Sequence, residues 1–261
     1  MAQESDILPV LIIGTGFGGI AASVALQERG IAHQLLERRP FLGGTWIQNR
    51  YPGAAVDVQS PLYSLSFEPY DWSRLFAEGD ELAAYTEHVL TKYGIRERTR
   101  TDAAVVSLDW DDEARCWRAS LKGGDVVCAR SVVNASGALS TPVIPDFPGR
   151  ERFGGASFHT NDWQHDVDLT GKRVAVIGSG ASAAQVIPAI VDQVGELHVF
   201  QRTPHWVAPR RDRVFTPAER ALLRNPIAYK ALRAAIYCML EWRLLAFKYS
   251  EALLKLSLIH I

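Results

Sequence analysis

The stretch ILPVLIIGTGFGGIAASVALQERGIAHQLLE, residues 7–37, decides the fold. Its first residues form a continuously apolar run that ends at Gly14, which is typical of a strand buried on both faces of a parallel sheet. A G-x-G-x-x-G loop with Gly14, Gly16 and Gly19 follows, then a helical segment, and then a second strand that ends at Glu37. This order predicts a Rossmann-type β-α-β unit at the start of the chain.

The glycines and the acid of this unit suit a dinucleotide. A residue without a Cβ lets the backbone turn tightly and approach a pyrophosphate, and the following helix N-terminus supplies amide donors. Glu37 follows Gly19 by 18 residues, close to the spacing of about 20 at which an acid binds the adenosine ribose. We expect Glu37 to accept both ribose hydroxyls. A glycine-rich turn without a ligand is the alternative, which the flanking strand and helix disfavour.

A second unit of the same kind spans residues 172–202, KRVAVIGSGASAAQVIPAIVDQVGELHVFQR. Its loop has Gly178 and Gly180, with Ala183 in the third position, where alanine is tolerated because the position serves close packing of helix on strand. The second strand of this unit ends at Arg202 rather than at an acid. The sequence therefore contains two dinucleotide units that differ in the sign of their closing residue.

The positive charge of Arg202 favours a phosphorylated ribose. A guanidinium can hold a 2′-phosphate with two parallel hydrogen bonds, whereas a carboxylate would repel it. The two units are thus expected to bind different dinucleotides, and a solvated surface arginine is the alternative interpretation. Arg38 and Arg39, which follow Glu37, are expected to point to solvent.

Between and after the two units the pattern changes. Short alternating runs separated by the turn signals DDEAR and KGGD predict a small antiparallel meander, after which a strand over SVVN returns to the first sheet. From Thr216 and Pro217, a good N-cap pair, the pattern becomes helical. An apolar stripe, which favours a core helix over a membrane-docking one, comprises Leu232, Ile236, Met239, Leu240 and Leu244. The predicted fold class is α/β: two Rossmann-like dinucleotide-binding domains of the three-layer ββα type, with a small meander and the start of a helical subdomain.

Composition limits the partners. The 261 residues carry a net charge of -1, which gives no electrostatic case for nucleic acid or for a membrane surface. Cys116, Cys128 and Cys238 lie far apart without a C-x-x-C pair, so we predict neither disulfides nor a metal site, and a reducing cytoplasm is the default location. The N-terminal segment is too acidic and too short in apolar residues for a signal peptide or a membrane span.

Three stretches carry a resemblance to a known family. Residues 153–163, FGGASFHTNDW, fit F-x-G-x-x-x-H-T-x-x-W, which resembles the fingerprint of flavoprotein Baeyer–Villiger monooxygenases in the flavin-containing monooxygenase superfamily. Residues 43–67, GGTWIQNRYPGAAVDVQSPLYSLSF, resemble the flavin-contacting stretch of that family, and residues 199–206, VFQRTPHW, resemble its NADPH-phosphate stretch. The chain departs from the family at Ala55, where arginine is common, and at Gln164, where proline or aspartate is common.

The resemblance implies an oxidoreductase with FAD in the first unit and NADPH in the second. In the family, NADPH reduces the flavin, O2 then forms a flavin peroxide, and the peroxide attacks a small-molecule ketone. An N- or S-oxygenating flavin monooxygenase is one alternative, which Trp163 argues against because those enzymes carry another aromatic residue there. A non-catalytic dinucleotide-binding module is the other.

The resemblance also implies roles for particular residues. Asp57 matches an aspartate that hydrogen-bonds a flavin-facing arginine, expected beyond the end of this chain, and His159 matches a histidine thought to couple domain motion to the reaction. The alternatives are a turn or cap acid for Asp57 and a packing histidine for His159; Phe153 and Trp163, like Trp46 and Tyr63, could be ordinary core aromatics. The expected cofactor-binding residues are Gly14, Gly16, Gly19, Glu37, Gly44, Thr45, Trp46, Asp57, Tyr63, Gly178, Ser179, Gly180, Ala181, Ser182, Ala183, Arg202 and Thr203.

The same resemblance suggests a domain organisation. We expect the N-terminal part of an FAD-binding domain over residues 1–140, that of an NADPH-binding domain over 141–211, and the start of a helical subdomain over 212–255. Residues 256–261, LSLIHI, are what a common sequencing-adapter stretch encodes, so we expect them to be a non-native tail and the natural gene to continue.

Overall fold

The structure of the chain, a computed structural model, describes residues 7–203 and 210–249. The predicted tail 256–261, and residues 204–206 of the expected phosphate-binding stretch, lie outside the described residues. The strands are β1 Leu8–Ile13, β2 His33–Leu36, β3 Thr99–Arg100, β4 Val105–Asp111, β5 Cys116–Leu121, β6 Val126–Asn134, β7 Arg173–Ile177 and β8 Glu196–Phe200. The α-helices are α1 Phe17–Gln27, α2 Thr45–Gln48, α3 Gly79–Lys92, α4 Ala181–Ile190, α5 Pro217–Leu223 and α6 Pro226–Tyr249.

The chain divides into two compact units, Met1–Asn49 with Ala83–Gly155 and Arg50–Leu82 with Ala156–Ile261. This division differs from the predicted domains, whose boundaries stay a prediction. The difference has a local cause, because Tyr51 and Ala54 are buried in one cluster with Val186 and Ile190 of α4. Residues 50–82 therefore belong to the unit that contains the second glycine loop.

The first unit is built on a sheet with strand order β3-β2-β1-β6-β5-β4. β1 pairs in parallel with β2 and with β6, and β4, β5 and β6 pair antiparallel. Leu11 and Ile12 of the central strand β1 are fully buried, as an apolar run covered on both faces requires. The predicted Rossmann unit, the meander and the return of the chain to the first sheet are confirmed.

The register brings three chain segments to one edge of this sheet. Ile13 is opposite Leu36 of β2 and opposite Asn134 of β6. The glycine loop after β1, Glu37 after β2 and the turn after β6 therefore start side by side, since parallel strands end at the same edge.

The second unit contains the other β-α-β element. β7 and β8 pair in parallel through the full register from Arg173 opposite Glu196 to Ile177 opposite Phe200. Helix α4 connects them, and its Val186 and Ile190 are buried against the strands. The predicted second Rossmann-like unit is confirmed.

The start of the helical end of the chain matches the prediction from the sequence, and its last helix differs from that prediction. Thr216 is the N-cap of α5 with Pro217 after it, as the sequence predicts, and the structure adds a reciprocal capping box between Thr216 and Glu219. In α6, Tyr229 and Ile236 are buried, but Met239 is 41% exposed, so the predicted stripe is wrong at Met239. The side chain of Leu244, also in that stripe, lies outside the described ones. The buried face instead includes polar residues: Trp72 Nε1 donates to the Tyr229 hydroxyl at 3.1 Å, and Arg233 donates to the Pro61 carbonyl at 2.8 Å. Every helix within residues 7–203 and 210–249 is too short or too polar to span a bilayer.

Acid titration of Glu219 provides a test of this capping geometry. The Arg213 guanidinium first, and then the amide and hydroxyl of Thr216, lower the pKa of Glu219 from 4.5 to about 2. Because the folded pKa is below the unfolded one, the stabilisation from ionised Glu219 is present above about pH 4.5 and is lost as the pH falls toward 2. Carbon-13 NMR should give a titration midpoint near 2 for this carboxyl, and Arg213→Gln should raise it. An unchanged midpoint in the variant would show that Arg213 does not set it.

Candidate dinucleotide sites

The first glycine loop is packed too closely for side chains. Gly14 has a φ of +100°, and a Cβ added there would lie 2.5 Å from the Ala135 carbonyl oxygen. A Cβ at Gly19 would lie 2.0 Å from the Gly14 carbonyl oxygen. Gly16 is the N-cap of α1, and no side chain in the described part of the chain caps this helix. The amino end of α1, with its amide donors and positive dipole end, is therefore available to an anionic ligand.

A cleft of about 530 Å³ lies at this edge of the sheet, lined by Gly16, Phe17, Gly18, Thr45 and residues 134–138. Gly44 is in close backbone contact with Gly16, which brings the predicted residues Gly44 and Thr45 to the loop. The wall formed by residues 134–138 was not among the predicted site residues. The signal was present in the sequence, because a strand that returns beside β1 must end at the same edge as the glycine loop. Trp46 follows in α2 and is 8% exposed.

Glu37 is buried beside this loop, with only 7% of its surface exposed. Its carboxylate accepts hydrogen bonds from the Thr15 amide at 3.1 Å, the Thr15 hydroxyl at 2.5 Å and the Arg39 amide at 3.1 Å. Thr15 was not predicted as a site residue. Arg38 is exposed, as predicted, and its guanidinium also donates to the Thr141 hydroxyl at 3.0 Å and to the Ser140 carbonyl.

The second glycine loop has the same backbone course but more open surroundings. Gly178 has a φ of +114°, and Gly180 is the N-cap of α4, which none of the described side chains caps. A Cβ at either glycine would meet no described atom within 4 Å. Ala183 is 9% exposed, in agreement with a packing role for the third position.

The end of β8 lies beside this second loop. The Ser179 hydroxyl donates to the Thr203 carbonyl at 3.3 Å, which joins the loop to the residue after Arg202. Ala181 and Ser182 form the first turn of α4. Arg202 is exposed, and it forms no ion pair within residues 7–203 and 210–249. Its guanidinium is therefore accessible. This agrees both with a residue that binds a 2′-phosphate and with a solvated surface arginine.

Gln185 of α4 is hydrogen-bonded to the YPGAAVD segment and was not among the predicted site residues. The Tyr51 hydroxyl donates to Gln185 Oε1 at 2.9 Å, and Gln185 Nε2 donates to the Ala55 carbonyl at 2.8 Å. Asp57 follows two residues later and is exposed. In the part of the chain that the structure describes, its carboxylate accepts no hydrogen bond, so it is available to a cation. Tyr63, further along the same segment, is half-buried.

The FGGASFHTNDW stretch contains residues with different surroundings. Phe153 is 64% exposed, so the core-aromatic alternative is wrong for this residue. Trp163 packs against the Tyr51 and Val186 cluster and contacts the Phe158 ring edge to face at 5.2 Å. His159 caps a short 3₁₀ turn, its Nδ1 accepting the Asn161 amide at 3.0 Å. A local structural role therefore accounts for His159 and Trp163, and the coupling role of His159 stays a prediction.

Two uncapped glycine loops, each between a parallel strand and a helix, define an α/β protein with two dinucleotide-binding units. Comparison with known families agrees with this class. The chain belongs to the family described as pyridine nucleotide-disulphide oxidoreductase, whose model matches residues 8–231.

Individual relatives agree with the resemblance to Baeyer–Villiger monooxygenases. A Baeyer–Villiger monooxygenase of Streptomyces coelicolor is 46% identical over 248 residues, which are 94% of this chain and 48% of that protein. A solved structure of oxidized steroid monooxygenase bound to NADP has a TM-score of 0.80 at 39% identity, covering 85% of this chain and 43% of that one. The structure of OTEMO in complex with FAD and NADP has a TM-score of 0.81 at 33% identity, covering 86% and 44%. The chain thus spans about half the length of the relatives it matches.

Proposed function

We propose that this chain is part of an FAD- and NADPH-dependent monooxygenase that inserts one oxygen atom of O2 next to the carbonyl of a small-molecule ketone. The observation that carries the proposal is the pair of glycine loops with closing residues of opposite sign, buried Glu37 in one and exposed Arg202 in the other. The relatives include a Baeyer–Villiger monooxygenase and a steroid monooxygenase, which supports the reaction class.

FAD fits the first loop. The cleft beside Gly16 is lined mostly by glycine and other small residues, with Phe17 and Asn134 as the larger side chains. It lies at the amino end of α1, where no described side chain caps the helix and where a pyrophosphate is stabilised. Glu37 is fixed beside the loop as an acceptor for the adenosine ribose. We assign Gly44, Thr45, Trp46 and Tyr63 to the flavin side of the site by resemblance.

NADPH fits the second loop. Among the described residues, no atom fills the space beside Gly178 and Gly180 and no side chain caps α4, so a pyrophosphate has room there. Arg202 and Thr203 follow the second strand, where a 2′-phosphate would bind. The bound cofactors supply hydride transfer and oxygen activation, and the chain binds them, orients them and keeps water from the reaction. We assign to Asp57 the support of a cation at the flavin, and to His159 the coupling of domain motion to the reaction.

The complete gene product tests the proposal most directly. We expect it to be yellow after purification and to oxidise NADPH faster with a cyclic ketone than with an amine or a sulfide. The reverse order would favour an N- or S-oxygenating enzyme. A protein with neither flavin nor NADPH oxidation would favour a non-catalytic binding module.

The role of Asp57 can be separated from folding. Asp57→Asn keeps the size of the side chain and removes the charge that would support a neighbouring cation, so we expect kcat to fall by about 10- to 100-fold while the FAD content stays unchanged. Steady-state kinetics and the flavin absorbance per protein provide the two measurements. Asp192→Asn, a change at another exposed acid of the same unit, should leave kcat within twofold of the parent. Equal kcat values for all three proteins would remove Asp57 from the mechanism.

We also propose the cytoplasm as the location. Cys116, Cys128 and Cys238 are all free thiols, with the first two buried, which supports a reducing compartment.

A further inference from the structure

Thr15 joins three segments at the first glycine loop. The residue has no exposed surface. Its hydroxyl donates to Glu37 Oε2 at 2.5 Å and accepts a hydrogen bond from the Gly43 amide at 3.3 Å, and its own amide donates to the same Glu37 oxygen at 3.1 Å. The loop after β1, the acid after β2 and the turn before α2 thus meet at one side chain.

These contacts determine which part of the Glu37 carboxylate remains available. An ionised carboxylate offers about four acceptor positions. Thr15 takes two of them on Oε2, and the Arg39 amide takes one on Oε1 at 3.1 Å. Counted over residues 7–203 and 210–249, one position therefore remains, on Oε1, which is enough for one ribose hydroxyl rather than the two that the sequence predicts.

Without Thr15 this orientation would be weakly determined. The terminal torsion of a glutamate has broad minima, and a buried carboxylate turns toward whichever donors remain. On the basis of the proposed FAD site, we infer that Thr15 is a positioning residue that saturates Oε2 of Glu37 and so presents the open acceptor position of Oε1 to the adenosine ribose. Thr15 acts through Glu37 and through no contact of its own with the cofactor.

A double-mutant cycle on FAD binding tests this inference. Thr15→Val keeps the volume and the branching but removes the hydroxyl, so we expect the Kd for FAD, measured by flavin fluorescence, to rise about tenfold. Thr15→Ser restores the hydroxyl and should return the Kd to within about twofold of the parent. In a Glu37→Ala background, where no carboxylate needs orienting, Thr15→Val should change the Kd by less than about twofold.

Two further measurements separate positioning from general loss of structure. Ser23→Ala removes another fully buried hydroxyl of the same unit, one that contacts His33, and should leave the Kd unchanged. In flavin-free protein, the Gly43 amide should exchange its hydrogen about tenfold faster in Thr15→Val than in Thr15→Ser, since only valine removes its acceptor.

The outcomes distinguish the inference from the proposed function. A parent protein that binds no FAD would overturn both. Two outcomes would overturn the role of Thr15 and leave the FAD site intact. The first is an equal Kd for FAD in the parent and in Thr15→Val, and the second is a rise in Kd from Thr15→Val that persists in the Glu37→Ala background.

Discussion

Gly14→Ala is expected to lower the free energy of unfolding by about 2–5 kcal/mol, because a side chain at this position meets both backbone strain and a steric clash. The φ of +100° is a conformation that L-residues rarely adopt, and the new Cβ would lie 2.5 Å from the Ala135 carbonyl oxygen. Relief requires β1 and the turn after β6 to separate at the edge where the cleft lies. Thermal unfolding without flavin should show a fall of about 10 °C, at roughly 2–4 °C per kcal/mol for a chain of this size.

Gly18→Ala is the matched control for this change. Gly18 lies in the first turn of α1 without a positive φ, and its added Cβ would be 3.6 Å from the Ala135 Cβ, an ordinary contact. Alanine is a better helix former than glycine, so this variant should match the parent or gain up to about 1 kcal/mol. Similar losses of unfolding free energy in both variants would contradict the explanation from the φ and the close contact of Gly14, because Gly18 has neither.

Local patterns in the sequence were sufficient for the elements that carry these loops. The apolar run before Gly14, ended by glycine, is typical of a strand covered on both faces, and the structure buries Leu11 and Ile12 completely. The sign and spacing of Glu37 likewise follow from one strand and one helix of standard length. These features depend on neighbours in the chain, which the sequence displays directly.

The features that the sequence did not reveal depend on contacts between distant segments. Gln185 donates a hydrogen bond to Ala55, 130 positions away, and Thr15 donates one to Glu37, 22 positions away. The residue type alone does not predict either contact, because a glutamine on a helix and a threonine in a glycine loop can equally be exposed to solvent. The buried face of α6 was partly missed for a similar reason. Tyr229 is buried with its hydroxyl hydrogen-bonded to the distant Trp72, and a hydropathy pattern does not show such a partner.

Arg202→Glu in the complete gene product should abolish the preference for NADPH over NADH. A bidentate arginine–phosphate contact contains two charge-assisted hydrogen bonds of about 1.5–3 kcal/mol each, and the new carboxylate would repel the phosphate in addition. Since 1.4 kcal/mol is about tenfold, the ratio of kcat/KM for NADPH to that for NADH should fall by about 100-fold or more. The NADH value itself should change little, because NADH lacks the group that Arg202 is proposed to read. Steady-state kinetics with both cofactors measure this ratio.

Two variants decide whether the effect belongs to the position or to the charge. Arg173→Glu makes the same charge change on an exposed residue of the same unit, at the amino end of β7 and therefore at the opposite strand end from the glycine loop, and it should leave the ratio within about twofold. Arg202→Lys keeps the charge and loses the planar fork, so an intermediate ratio would indicate bidentate recognition. Equal losses with NADPH and NADH in Arg202→Glu would contradict the assignment, since a residue that reads the 2′-phosphate must distinguish the cofactor that has it from the one that does not.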